Sequence, residues 1–460
     1  MTDITSTEAE TKSNDNCDTN MSRQINKLNH GKRQAFSDYD NLFLKVFPTN
    51  KDLAREVALK IFKHAVSDDL SFKNEVKKHH DRLVHNFSLI PPVTDRKRIA
   101  ILGYIVPCVP EWDPDSIKTG IAGSEEAIIY VSKELVNMGI DVTIYANPPK
   151  DSMWTLPIAQ PRYINANQFT SDDSKYDAVL CWRRFDFQIA STKGPAFFWP
   201  HDICGRKLTA EKLSGILFLS KYQRDHYYQW TPEMKSVPYT ICGNGIDLSQ
   251  FSVEKSDSKK SKRKPYSCAY ISNYSRGLEI LLDIWPQLRK AYPKVTLDVY
   301  YGRETFGSCS KEVLDRIIFK LESLIKMGVT EHGKVSHVDL AKALSKISFL
   351  TYPCTTLAET YCISVVKAQA AGCIPITTRV GALDETVHPE APTVPLISGP
   401  EDAKKYADLL VATLGLQEKD LNRKKYIDFA RKCTWKACTD KMLELIYKPK
   451  DIPDNKNVVE

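Results

Sequence analysis

Residues 359–387, ETYCISVVKAQAAGCIPITTRVGALDETV, place groups that bind anions and hydroxyls at closely spaced positions. We expect Glu359 to open a helix whose first-turn amides suit an anion, and Gly372 to end that helix in the left-handed conformation. Cys373–Thr378 then predicts a strand buried on both faces. In the Gly-led turn at 379–382, backbone amides can approach a phosphate closely. The alternative is an ordinary strand–helix unit with a surface glutamate.

A second anion-binding position is predicted at Arg276, between a strand ending near Ser272 and a leucine-rich helix. A cation at a helix start opposes the helix dipole, so this position favours a bound anion. The planar guanidinium fork suits a diphosphate. The alternative is a surface arginine that covers the helix start.

Three further segments follow predicted strands. Gly120-Ile-Ala-Gly123-Ser-Glu-Glu is a glycine loop before a helix, but it lacks the third glycine of a dinucleotide fingerprint, which excludes NAD. His201 ends the apolar run AFFWP, where a hydrogen-bonded loop histidine is the alternative. Asn244-Gly245-Ile246-Asp247 is a turn signal with a lining role open for Asn244.

The elements that position these residues alternate between strand and helix, which predicts an α/β fold with two doubly wound parallel sheets. For example, a strand at 98–105, a helix from about Ser124 to Met138, a cap at Gly139 and a strand at 142–145 make one complete unit. Composition and element pattern predict five segments: a disordered tail at 1–25, a helical extension at 26–95, a first Rossmann-like domain at 96–251, a basic linker at 252–265 and a second Rossmann-like domain at 266–448.

Bulk properties are those of a globular protein, with 42% hydrophobic and 26% charged residues. No run of 18 apolar residues and no apolar leader are present, so we expect a cytoplasmic protein. The twelve cysteines form no zinc pattern, and several lie in apolar runs typical of buried thiols. The lysine-rich run at 255–265 lacks interleaved aromatic residues, which favours a linker over a nucleic-acid or membrane surface.

Six segments in this order resemble those of retaining nucleotide-sugar glycosyltransferases with the GT-B fold, family 4 in particular. They include the Gly120–Glu126 loop, Pro200-His201-Asp202, the Asn244–Asp247 turn, Ser272–Leu278 with Trp285-Pro286, the loop at 332–337 and the segment from Glu359. The resemblance implies two Rossmann-like domains facing a cleft. It implies transfer of a sugar from a nucleotide diphosphate to a glycan, lipid or protein acceptor, with no cofactor, no metal and no nucleic acid partner. Peripheral contact with a membrane stays open.

The same resemblance implies roles for individual residues. His201 and Glu359 would be catalytic, with His201 facing the transferred sugar and Glu359 binding its hydroxyls. The remaining residues would bind the donor: the diphosphate by Gly123, Arg276, Gly381, Ala382 and Leu383, and the nucleoside by Ser272, Gly333, Val335 and Lys367.

Lys367 departs from the pattern, which has a ribose-binding glutamate at this position. An ammonium group cannot accept hydrogen bonds from the ribose hydroxyls. Either Asp384 or Glu385 binds the ribose hydroxyls instead, or Lys367 binds a phosphate, or the protein is a non-catalytic relative. A binding scaffold and, in third place, a nucleotide-sugar epimerase are therefore the alternatives to a transferase.

Overall fold

The computed structural model describes residues 97–106, 109–155, 159–170, 176–185, 194–203, 210–251, 263–303 and 309–447. The predicted tail, the predicted helical extension and most of the predicted linker lie outside these residues. Contacts divide the chain into two units, of which residues 97–149 and those from 164 onward form one. In the other unit, the described residues contain a short 3-10 turn, Met153–Thr155, and a cis peptide bond between Gln160 and Pro161.

Thirteen strands form two sheets in the described part of the chain. The first has seven strands in the order β3-β2-β1-β4-β5-β6-β7, and the second has six in the order β10-β9-β8-β11-β12-β13. The pairs from β2 to β7 and from β10 to β13 are parallel. The strands are β1 Arg98–Leu102, β2 Asp141–Ala146, β3 Arg162–Asn165, β4 Ala178–Trp182, β5 Ala196–Trp199, β6 Gly215–Phe218, β7 Tyr239–Ile241, β8 Lys264–Tyr270, β9 Thr296–Tyr300, β10 Val329–Gly333, β11 Ile347–Tyr352, β12 Ile374–Thr378 and β13 Thr393–Val394.

Helices alternate with these strands, as the sequence pattern predicts. They are α1 Gly123–Asn137, α2 Lys221–Trp230, α3 Leu278–Ala291, α4 Lys311–Ser323, α5 His337–Leu344, α6 Ile363–Ala370, α7 Leu383–Thr386, α8 Pro400–Leu414, α9 Arg423–Ala430 and α10 Trp435–Tyr447. The predicted fold class, with two parallel sheets flanked by helices, is confirmed. We call the seven-stranded sheet with its helices the first domain and the six-stranded sheet with its helices the second domain.

The central strands are buried along their whole length, because helices cover both faces of a parallel sheet. All residues of β4, β5, β11 and β12 are buried. Gly372 has φ +84 after α6, as the prediction of a left-handed helix end requires. The predicted buried thiols Cys181, Cys268 and Cys373 are fully buried.

Each sheet contains one point where the order of strands reverses, between β1 and β4 in the first and between β8 and β11 in the second. The loops that follow the two strands at such a point diverge, and a crevice forms beyond the carboxyl ends of the strands. Most of the residues predicted to carry chemistry lie in these loops or in neighbouring ones, whereas Lys367 lies in α6.

The last helix in the described residues, α10, follows the second domain in sequence but packs on the first domain. The Trp435 ring stacks on Tyr130 of α1, with centroids 5.5 Å apart and planes at 4°. Leu445 lies against Gly215 of β6, where a Cβ would come within 2.9 Å of the leucine Cδ2. Among the described helices, none is long and apolar enough to cross a membrane.

Candidate active site

A cavity of about 530 Å³ opens between the two domains. On one side it is lined by loops that follow β1, β4, β5, β6 and β7, and on the other by loops that follow β8, β9, β10 and β11. The predicted site residues Gly123, His201, Ser272, Arg276 and Glu359 all line it. Both crevices at the reversal points therefore contribute to one cavity.

The second-domain wall of this cavity is built around Glu359, which is only 3% exposed. Its Oε2 lies 2.8 Å from Nη1 of Arg276 and accepts a hydrogen bond of 2.9 Å from the Tyr352 hydroxyl. The carboxylate raises the pKa of Arg276, whose side chain remains 36% exposed. The pair thus presents a fixed cation and a fixed carboxylate to the cavity.

Arg276 reaches Glu359 because the loop after β8 approaches the loop after β11 very closely. Gly277, the next residue, has φ +105, and a Cβ there would lie 1.9 Å from the Pro353 carbonyl oxygen. Only glycine fits such a contact in that conformation. The glycine after the arginine is therefore part of the geometry that forms the ion pair.

Glu359 does not open a helix, which corrects the sequence-based prediction. The helix α6 begins at Ile363. Tertiary hydrogen bonds hold the preceding residues in a non-helical conformation: the Glu359 carbonyl accepts from the Ala382 amide at 2.8 Å, and the Thr360 hydroxyl donates to the His201 carbonyl at 3.0 Å. Sequence periodicity carries no signal for bonds of this kind.

The glycine turn at 381–383 holds the backbone of Glu359. Gly381 has φ +59, and a Cβ there would lie 2.5 Å from the Glu359 carbonyl oxygen. The Ala382 and Leu383 amides donate to Glu359 and Val380. None of residues 381–383 is among those that line the cavity. Diphosphate binding by these three residues stays a prediction, and the observed contacts give the turn a positioning role.

The first-domain wall is built around His201, which follows β5 and is 5% exposed. Its ring lies between the indoles of Trp182 and Trp199, at centroid distances of 5.8 and 4.7 Å. Burial, with a smaller contribution from the Arg183 charge, lowers the pKa of His201 well below its usual value. The imidazole is therefore neutral at pH 7, and its Nε2 has no hydrogen-bond partner.

Arg183, which the sequence analysis did not single out, also lines the cavity. It follows β4 with φ +62, and its guanidinium lies 4.4 Å from the centroid of the Trp182 ring. Nη1 is 3.1 Å from Glu125 Oε1, and Nε is 3.0 Å from Asp202 Oδ2. The available sequence signal was an arginine directly after a fully apolar strand. Strained backbone of this kind concentrates at functional sites.

The glycine loop after β1 lies against the second domain. Gly120 has φ +96, and a Cβ there would lie 2.6 Å from the Val335 carbonyl oxygen. Gly123 lines the cavity at the start of α1. Glu125, in the first turn of α1, is 1% exposed, and burial raises its pKa against the opposing effect of Arg183.

The residues predicted to bind the nucleoside do not all come together. Ser272 lines the main cavity and donates to the Tyr352 hydroxyl at 3.3 Å. Gly333 lines a second cavity of about 400 Å³, together with Arg303 and Lys334. Val335 lines neither cavity: its side chain packs against the core of the second domain, and its carbonyl oxygen faces Gly120.

Lys367 does not line the main cavity either. Its Nζ lies 2.7 Å from Glu126 Oε2 of the first domain, and both side chains are buried. The two acids considered for the ribose are also engaged elsewhere. Asp384 pairs with Arg379 at 2.8 Å, and the Glu385 carboxylate accepts the first two amides of α2 at 2.8 Å each.

The Asp-x-Asp segment at 113–115 is structural. The Asp113 side chain accepts from the Asp115 amide at 2.8 Å and caps the short helix Pro114–Lys118. In the described residues, no group of three or more His, Cys, Asp or Glu side chains is arranged to hold a metal ion. Metal independence stays a prediction.

Comparison with known proteins gives one family match and several similar folds. Residues 266–415 match the profile of the family Glycosyl transferases group 1. The fold resembles sucrose-phosphate synthase from Thermosynechococcus elongatus (TM-score 0.56, 17% identity, 77% of this chain and 99% of that one). It also resembles Alr3699/HepE from Anabaena, solved with UDP and glucose (TM-score 0.55, 12% identity, 77% and 100%).

A third similar structure is the pneumococcal O-GlcNAc transferase GtfA, solved with UDP and GlcNAc (TM-score 0.57, 11% identity, 77% of this chain and 99% of that one). A comparison with curated protein sequences finds no match. The fold is therefore the GT-B fold of these structures, and residues 266–415, within the second domain, match the family Glycosyl transferases group 1.

Proposed function

We propose that the protein is a retaining glycosyltransferase that moves a sugar from a UDP- or GDP-sugar to a glycan, lipid or protein acceptor without a metal. The observation that carries the proposal is the Arg276–Glu359 pair in the interdomain cavity, opposite His201. Alr3699/HepE and GtfA, which share the fold, were solved with UDP and a sugar.

The chemistry of the reaction fits these groups. As the glycosidic bond to the diphosphate breaks, the sugar becomes oxocarbenium-like and negative charge develops on the leaving group. A preorganised cation stabilises that charge, and Arg276 is held in place by Glu359 before substrate arrives. Lys334, which lines both cavities, adds a second positive charge on the same domain.

The sugar itself is assigned to the space between the two walls. Glu359 keeps its carboxylate buried and oriented, which suits hydrogen bonds to sugar hydroxyls. Neutral His201 contacts the same space from the first domain without adding charge near the developing cation. Enclosure by the two domains excludes water, which would otherwise hydrolyse the donor.

The test is a screen of UDP- and GDP-sugars read by mass spectrometry, with and without simple sugar acceptors. A transferase gives a glycosylated acceptor and a free nucleotide diphosphate, and anomer analysis of the product by NMR reports whether configuration is retained. Sugar interconversion without acceptor would identify an epimerase. If calorimetry detects no binding of any nucleotide sugar, the protein is a binding scaffold. Unchanged activity after exhaustive chelation is expected if no metal takes part.

A further inference from the structure

Glu385 of the second domain caps a helix of the first domain. Its carboxylate accepts hydrogen bonds from the amides of Lys221 and Tyr222, the first two residues of α2, at 2.8 Å each. The first amides of a helix have no partner within the helix, and a negative charge is favourable at this end of the helix dipole. Two charge-assisted hydrogen bonds therefore fix the start of α2 to the second domain.

On the second-domain side, Glu385 belongs to α7, the short helix that follows the glycine turn. The Ala382 amide, at the start of this helix, donates to the Glu359 carbonyl at 2.8 Å. The Glu385 amide in turn donates to the Ala382 carbonyl at 3.0 Å. One hydrogen-bonded turn therefore carries both Glu385 and the support of the Glu359 backbone.

On the first-domain side, α2 holds the backbone around His201. The buried side chain of Gln223 donates through Nε2 to the Pro200 carbonyl at 3.0 Å and to the Asp202 carbonyl at 3.3 Å. The Tyr227 hydroxyl, one turn further along α2, donates to the same Asp202 carbonyl at 3.1 Å. The residues on both sides of His201 are therefore fixed by α2.

These contacts form a continuous path between the two predicted catalytic residues. It runs from Glu359 through the glycine turn to Glu385, and then through the first turn of α2 to Gln223 and the backbone around His201. A second link is direct, because the Thr360 hydroxyl donates to the His201 carbonyl at 3.0 Å. Glu385 carries the longer path from one domain to the other.

We propose that Glu385 is a positioning residue that sets the position of His201 relative to Glu359 across the cavity between the domains. Its carboxylate is bonded to the α2 amides, and Glu385 is not among the residues that line the main cavity, so it acts through the backbone. The inference rests on the proposed function, in which His201 and Glu359 face the same sugar from opposite domains. A displacement of about 1 Å in such an arrangement is enough to reduce catalysis about 100-fold.

Steady-state kinetics with the donor and acceptor identified by the screen test this role. Glu385→Ala is expected to lower kcat about tenfold or more, because the α2 amides lose their acceptor, while calorimetry gives an unchanged Kd for UDP or GDP. Glu385→Gln keeps one oxygen that can accept these amides, so it should recover part of kcat. Asp384→Asn is the matched control with no expected effect, since the Asp384 side chain is 58% exposed and pairs with Arg379 of its own domain.

Hydrogen exchange read by mass spectrometry provides a measurement that does not require activity. In folded Glu385→Ala we expect faster exchange in the first turn of α2, in the segment 200–203 and in the segment 359–361. Glu385→Gln should be intermediate, and Asp384→Asn should match the wild type. If exchange rises in the first turn of α2 alone, Glu385 only caps this helix and the positioning role is overturned.

The failure of this inference and that of the proposed function are distinguishable. A wild type that transfers sugar, with a folded Glu385→Ala of unchanged kcat, would overturn the positioning role alone. A weaker Kd for UDP or GDP in that variant would assign Glu385 to nucleotide binding and would also overturn it. A wild type that binds no nucleotide and transfers no sugar would overturn the proposed function and the catalytic role inferred here with it.

Discussion

Lys367 of the second domain and Glu126 of the first form a buried ion pair, with Nζ 2.7 Å from Oε2. His337 lies beside them, its Nδ1 3.6 Å from the other oxygen of the carboxylate. The side chains of Lys367 and Glu126 are 7% and 3% exposed, so water screens neither charge. The lysine that departs from the glycosyltransferase pattern therefore connects the two domains.

Replacing Lys367 by Met should lower the free energy of unfolding by about 3–5 kcal/mol, because Glu126 is left buried without its partner. The double variant Lys367→Met, Glu126→Leu should recover most of this loss, since no charge remains buried. Denaturant unfolding of the four proteins in the cycle measures the coupling. The exposed pair Lys436–Asp440 is the control, and Lys436→Met should cost less than about 1 kcal/mol. A single variant as stable as the wild type would show that the buried Glu126 carboxylate does not need Lys367 as its partner.

Arg276→Ala should raise the free-energy barrier to sugar transfer by about 2–4 kcal/mol, because no cation then stabilises the charge that develops on the leaving diphosphate. Arg276→Lys should recover part of this, since it keeps the charge without the planar fork. Turnover with the donor found by the screen is the measurement, and thermal unfolding checks that the variants fold. Arg316→Ala, at an exposed arginine of α4, should have no effect. Full activity of Arg276→Ala would remove this residue from the site.

Gly381→Ala should reduce turnover about 100-fold, because the new Cβ would displace the Glu359 backbone. A shift of about 1 Å in a positioning residue is enough for such a loss. The left-handed φ of +59 adds strain. Gly399→Ala is the matched control, since its backbone is extended and no atom lies within 4 Å of the added Cβ. Equal kinetics for the two variants would contradict the positioning role.

The pH dependence of stability should carry a contribution from His201. Its pKa is lowered in the folded protein, so the folded site stays neutral while the unfolded chain binds a proton below pH 6.5. Acid therefore favours unfolding. Between pH 7 and pH 5 the wild type should lose about 2 kcal/mol more than His201→Gln. Denaturant titrations at both pH values measure the difference, and parallel losses in the two proteins would show that His201 titrates normally.

Much of the fold could be predicted from the sequence, because buried parallel strands are apolar throughout and turn glycines mark their ends. The helix predicted at 124–138 is observed as Gly123–Asn137, and the strand predicted at 373–378 is observed as Ile374–Thr378. Both follow from local periodicity, which depends only on neighbouring residues. The first strand was predicted to end at residue 105, but the observed strand ends at Leu102, three residues earlier.

The site was predictable only where a residue type followed a strand end. Arg276, His201 and Glu359 satisfied that condition, and all three line the cavity. Lys367 could not be placed, because its partner Glu126 is 241 residues away along the chain. Arg183 was missed for the same physical reason: its role depends on Glu125 and Asp202, which only the folded chain brings together.

The packing of α10 on the first domain has a consequence for the order in which the chain folds. During synthesis, Gly215 in β6 is made about 230 residues before Leu445, which packs against it. The Tyr130 ring likewise has no stacking partner until Trp435 has been made. The first domain therefore lacks part of its packing until α10 has been made, and its apolar surface is exposed to chaperones during that interval.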